Sequence, residues 1–188
     1  MNAVAVVKAH TDCPMMLAHV EAKALGVPDG GADSVIGGPV WLVHTPLSGP
    51  LVKFANAISF DATVAKKTGL PIIAGAAKAV AASGKVLMLR AKHMICNPTS
   101  PHTLLSTHQM RQAGVIVDDV AKHHRKDEHT LGTQAMHFPE KGEKIDFHLK
   151  AALFTFELQK PTMEEHLNWP EEDIIDIAVE DWNPQEHR

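Results

Sequence analysis

Short apolar runs set the first limit on what this chain can fold into. They recur as Val40-Trp41-Leu42-Val43, Leu70-Pro71-Ile72-Ile73-Ala74, Val86-Leu87-Met88-Leu89 and Val115-Ile116-Val117. Turn formers stop them: Pro46, Ser48-Gly49-Pro50, Ser83-Gly84, Gly114. Runs this short do not make amphipathic helices of ordinary length, but they suit strands. Strands spaced by roughly 8–12 residues point to an all-β domain, closed or sandwiched.

The same reading places strands at residues 3–7, 15–20, 22–27, 51–54 and 58–60, and a turn at 66–69. Residues 76–83 are alanine-rich and suit a helix on propensity alone. The Ser83-Gly84-Lys85 turn and the apolar run after it make them a strand instead. Residues 97–101 read as a loop, and 104–113 as the one short helix, with Gly114 as its C-cap. Residues 122–128 read as a charged loop. Residues 130–138 and 145–149, with a turn at 140–143, read as a hairpin. One more strand covers 152–158, and Pro161 ends the compact part.

Composition narrows the function. Aromatic residues are 5% and tyrosine is absent, so stacking platforms for single-stranded nucleic acid are not expected. The net charge of −4 provides no basic footprint for nucleic acid. Charge is uneven: residues 160–188 hold nine acids and two bases, which reads as an acidic, solvated tail. Cys13 and Cys96 are the only cysteines and form no Cys-x-x-Cys pair, as suits a reducing compartment. No signal peptide is expected from the opening residues, and the longest apolar stretch is broken by Pro71, Gly75 and Lys78, so no membrane span is expected.

One stretch carries chemistry. Ala24-Leu25-Gly26-Val27 runs through Pro28 to Asp29, then Gly30-Gly31-Ala32-Asp33. In isolation Pro-Asp-Gly-Gly is an ordinary turn. An acid–base carboxylate, however, needs a rigid strand behind it and main chain close around it, which glycines permit.

Asp29-Gly30-Gly31-Ala32-Asp33 resembles the Asp-(Thr/Ser/Gly)-Gly-Ala-(Asp) motif of retropepsin-like aspartic proteases. Thr103-Leu104-Leu105-Ser106, ahead of a helix over 107–113, resembles the family's second landmark. The Leu-Leu-Ser variant is similar to the protease region of Copia-like LTR-retrotransposon polyproteins. Gly114-Val115-Ile116-Val117-Asp118-Asp119, Gly132-Thr133-Gln134, residues 160–165 and Asp181-Trp182-Asn183-Pro184 extend the likeness over roughly 25–184.

The resemblance implies a mainly β chain. A retropepsin-like closed β-barrel with one short helix would span 1–117, a β-hairpin extension 118–160, and an acidic tail 161–188. It implies an aspartic endopeptidase with one catalytic Asp per chain, hence a homodimer whose two Asp29 carboxylates share a proton and activate water. Asp29 is the catalytic residue, Gly30, Gly31, Ala32 and Asp33 form the active-site loop, and Leu104, Leu105 and Ser106 are the structural landmark. Gly49 is the candidate flap tip. The implied partners are a second copy and an extended polypeptide substrate, its own polyprotein first. No cofactor, metal, nucleic acid or membrane partner is expected. The implied location is cytoplasmic, virus-like particles included. Three positions depart from the family pattern. Gly30 stands where Thr or Ser is common, Pro28 precedes the Asp, and Thr107-His108 replaces an Arg-Asp pair. The alternative is a catalytically silent copy that keeps the fold for dimerisation or scaffolding.

Other residues read more plainly. His10, Cys13 and His19, and His123, His124 and His129, lack the paired-ligand spacing of a zinc site and read as loop histidines. Cys96 reads as a core or loop thiol. Asp118 and Asp119 read as solvated acids after a strand. Gly37-Gly38 lacks the spacing of a phosphate cradle.

Overall fold

A computed structural model of the chain describes residues 23–43, 54–57, 67–97, 99–120, 133–150 and 152–179; for 54–57 and 67–69 it gives the backbone path. The described residues are mainly β, as the spacing of apolar runs predicts, with two short helices. No helix among them is long and apolar enough to cross a membrane.

The strands follow in chain order. They are β1 (Lys23–Asp29), β2 (Val35–Gly37), β3 (Leu42–Val43), β4 (Phe54–Ala57), β5 (Lys67–Val80), β6 (Val86–Cys96) and β7 (Thr103–Ser106). Helix α1 (Thr107–Gln112) comes next, then β8 (Ile116–Asp118), β9 (Ala135–Phe138), β10 (Glu143–Asp146), β11 (His148–Lys150) and β12 (Leu153–Gln159). Helix α2 (Met163–Leu167) and β13 (Ile174–Ala178) close the series.

Ten strands form one sheet in the order β11-β12-β1-β7-β2-β6-β5-β3, with β13 added on β6 and β4 on β5. Gln159 of β12 also pairs with Lys78 of β5, so the path returns to β12. β5 and β6 form the long antiparallel hairpin at the centre. The other edge of β6 is shared: β13 lies parallel to Met88–Ala91, and β2 lies parallel to Met94–Cys96. β8, β9 and β10 make a separate antiparallel sheet.

One core joins the two sheets. Trp41, Leu87, Leu89, Met94, Leu105, Met110, Met136, Leu158 and Ile177 are all sealed from solvent within it. The Trp41 indole donates to Thr103 Oγ1 at 2.9 Å, so the buried ring keeps its polar atom paired. Met94 fits because Gly37 and Gly75 flank it; a Cβ on either would stand 2.8 Å from its terminal methyl.

Several sequence expectations are corrected here. The alanine-rich stretch is strand as far as Val80, with 81–83 leading into the turn, and it joins residues 70–74 in a single strand, β5. That strand begins at Lys67, where a turn was expected, because β4 pairs with its first residues. Residues 104–106 are strand, not the first turn of the helix, because Leu104 pairs with Ile36 and Val27. Only Leu42 and Val43 of residues 40–43 are strand, and Val40 and Trp41 turn into the core. The hairpin over 135–146 is present, but residues 148–150 leave it and pair with β12. β12 lies beside β1 in the main sheet rather than in an extension. The compact part does not end at Pro161. That proline is buried, α2 follows with a capping box, and β13 places Ile175, Ile177 and Ala178 in the core. Residues 3–7, 15–20, 51–53, 58–60 and 122–128 lie outside the described residues, as do Gly49, His10, Cys13, His19, His123, His124 and His129.

Candidate active site

Asp29 is the last residue of β1, the point at which the sheet stops holding the chain. On one side β12 pairs with β1 as far as Gly26. On the other, β7 runs parallel and continues, with Pro28 opposite Leu105 and Asp29 opposite Ser106. Pro28 therefore lies beyond the β12 ladder, where β1 has β7 alone beside it and a missing N–H is tolerated. The two sequence landmarks meet here side by side.

The turn after Asp29 folds back on its carboxylate. Gly31 N–H donates to Asp29 Oδ1 at 2.8 Å, and Ala32 N–H reaches the Asp29 carbonyl at 3.4 Å. This is an aspartate-anchored turn, of the kind this residue type favours. Gly30, Gly31 and Asp33 are exposed, Asp29 and Ala32 partly so. A Cβ on Gly31 would stand 3.3 Å from Asp29 Oδ1, so a side chain there presses on the carboxylate itself. A Cβ on Gly30 would meet only Thr107 Oγ1, at 3.8 Å.

Helix α1 braces the turn. Ser106 caps it, its hydroxyl accepting from Gln109 N–H at 3.3 Å. His108 Nε2 lies 3.0 Å from the Gly30 carbonyl. Gln109 is fully buried: its Oε1 accepts from Val35 N–H at 2.6 Å, and its Nε2 donates to the His93 carbonyl at 3.3 Å. Arg111 reaches Thr107 Oγ1, the Val117 carbonyl and Asp119 at 3.1–3.4 Å, tying the last turn of α1 to β8.

Asp29, Gly30, Gly31, Ala32 and Asp33 thus form one turn beside Leu104, Leu105 and Ser106, while Gly49 lies outside the described residues. Sequence reasoning missed His108 and Gln109 as supports of the turn. The available signal was the polar Thr107-His108-Gln109 run straight after the apolar landmark. Asp118 is also corrected. It is buried, not solvated, and its Oδ2 takes the Thr133 amide at 2.6 Å and the Thr133 hydroxyl at 3.1 Å. Cys96 is buried, as a core thiol should be. No cluster of three metal-ligating side chains occurs among the described residues.

A cleft of about 450 Å³, bordered by Arg90, Gly114, Phe138 and Ile175, includes no residue of the Asp29 turn. Protein-family models, curated proteins and solved structures contain no match to this chain.

Proposed function

We propose that this chain is an aspartic endopeptidase, the retropepsin-like protease region of a Copia-like retrotransposon polyprotein, active as a homodimer. One observation carries the reading. Asp29 ends a central strand in register with Ser106, so the acid-glycine-glycine turn and the apolar-apolar-serine landmark lie together with α1 beneath them. The pairings that run from β12 through β1, β7, β2, β6 and β5 back to β12 support a closed barrel.

The chain has one Asp-Gly-Gly turn of this kind, so a two-carboxylate site requires two copies about a two-fold axis. Two carboxylates that close share one proton, and the titration belongs to the pair. The protonated Asp29 donates to the scissile carbonyl while its ionised counterpart draws a proton from water. Substrate enters as an extended segment that adds to the sheet.

The test joins mass with activity. The purified chain is expected to be a dimer in solution and to cleave peptides spanning its own polyprotein junctions fastest in mild acid, with Asp29→Asn abolishing cleavage. Cleavage untouched by Asp29→Asn overturns the assignment. A dimer that cleaves nothing points to a silent fold kept for self-association.

A further inference from the structure

Two consecutive residues of α1 hold the two ends of the Asp29 turn: His108 the entry, at the Gly30 carbonyl, and Gln109 the exit, at the Val35 amide. Gln109 has both ends of its side chain engaged and is sealed in the core. It therefore fixes where α1 sits against β2 and β6, and His108 reaches the turn from that fixed base.

The contact made by His108 has a specific chemical reach. The Gly30 carbonyl and the Gly31 N–H belong to one planar peptide unit. His108 grips the carbonyl side of that plane at 3.0 Å, and Asp29 Oδ1 takes the N–H side at 2.8 Å. Glycine stands on both sides of the plane, so rotating the whole peptide is sterically cheap. Such a rotation would carry the Gly31 N–H away from Asp29. A carbonyl only accepts hydrogen bonds, so the ring nitrogen facing it carries a hydrogen.

We propose that His108 is a positioning residue that orients the Asp29 carboxylate through the Gly30–Gly31 peptide. The proposal rests on the reading of Asp29 as the catalytic carboxylate. It assigns the bracing of this turn to a ring from the same chain, at a place where Gly30 has no side chain to do so. His108 is exposed, so replacing it leaves the core untouched.

The experiment compares His108→Phe, His108→Ala and His108→Gln. Phe keeps a ring without a donor, Ala removes the ring, and Gln returns an N–H at similar reach. The first two are expected to lower kcat by roughly 10- to 100-fold with KM and thermal midpoint unchanged, and Gln to recover most of the loss. A second readout does not need activity. In nuclear magnetic resonance spectra, Phe and Ala should shift the Gly31 amide and speed its exchange, and should move the Asp29 carboxyl carbon; Gln should restore all three. An unchanged Gly31 amide and Asp29 carboxyl in both His108→Phe and His108→Ala overturns the proposal. Cleavage insensitive to Asp29→Asn would defeat the protease reading, while the Gly31 amide would still judge His108 on its own.

Discussion

A glutamine sealed from solvent must satisfy an acceptor and a donor inside the protein, and Gln109 does so across three segments. Gln109→Leu removes both contacts and leaves the buried Val35 N–H unsatisfied, at about 1–3 kcal/mol. The expected result is a lower urea midpoint with an unchanged slope. A midpoint within error of the parent would mean that water takes over both partners. The sequence marks this role only as a polar run after the apolar landmark, because the partner amide lies far along the chain and a six-residue helix is too short to show a buried face by period. Asp29 was legible for the opposite reason. Its chemistry is local, since an acid followed by two glycines specifies its own turn. Asp118 misled because an acid after a strand carries no sign of the Thr133 amide that folds back to it.

At the scale of elements, the strands announced themselves through composition and turns, whereas their partners did not. The alanine-rich half of β5 could be read as strand because Gly84, at φ +87°, makes a turn that returns the chain along β6. By apolar pattern alone residues 104–106 could not be separated from α1, because Leu104, Leu105 and Met110 together mimic a helical apolar face; only the family landmark set them ahead of the helix. β1 shows how tightly an interior strand is fitted. A Cβ on Gly26 would stand 2.7 Å from the Phe156 ring and 3.2 Å from Leu105. Gly26→Ala should therefore cost about 1–3 kcal/mol through overpacking, and Phe156→Leu added to it should return part of the loss. Additive losses in thermal unfolding of the pair would show that the clash is absorbed elsewhere. The turn between β9 and β10 offers a contrast. Gly142, at φ +65°, has open space around it, so Gly142→Ala should lose about 1 kcal/mol from backbone conformation alone, without disturbing the core.

For the whole molecule, residues 161–179 of the acidic end are a docked part rather than a tail. Acids of this stretch meet bases of the β5–β6 hairpin. Arg90 binds Asp176 through two nitrogens at 2.5 and 3.1 Å, Lys92 reaches it at 2.8 Å, Lys85 pairs with Asp173, and Lys78 holds Glu165 at 2.7 Å. Charge counted along a sequence cannot tell complementarity from solvation, which is why this segment was misread. Half-burial pushes the Asp176 carboxyl up, but hydrogen bonds from Arg90 and Lys92 outweigh it and leave the group below its ordinary value. The Lys78 contact, with the Thr162 amide, likewise lowers Glu165. Carboxyls lowered by folding stabilise above their unfolded values, near 4, and that stability is lost as pH falls through the folded ones. Burial, helped by Arg90, lowers the His166 imidazole, so stability also begins to fall as pH drops through about 6.5. Protection of the β13 amides, taken relative to the intrinsic exchange rate at each pH, should fall below pH ~6 and again below ~4. Protection that stays flat from pH 7 to 3 would contradict this account. The same titrations set an acid floor under any activity that needs the docked segment.

The register of β1 also has a consequence in time. Lys23 pairs with Gln159, so the first described strand waits for one of the last before its antiparallel edge is covered. Partners this far apart in sequence make folding slow, and on a ribosome they make it late. A growing chain can present Asp29 only on an unfinished strand, and the assembled turn belongs to a molecule already synthesised past Gln159.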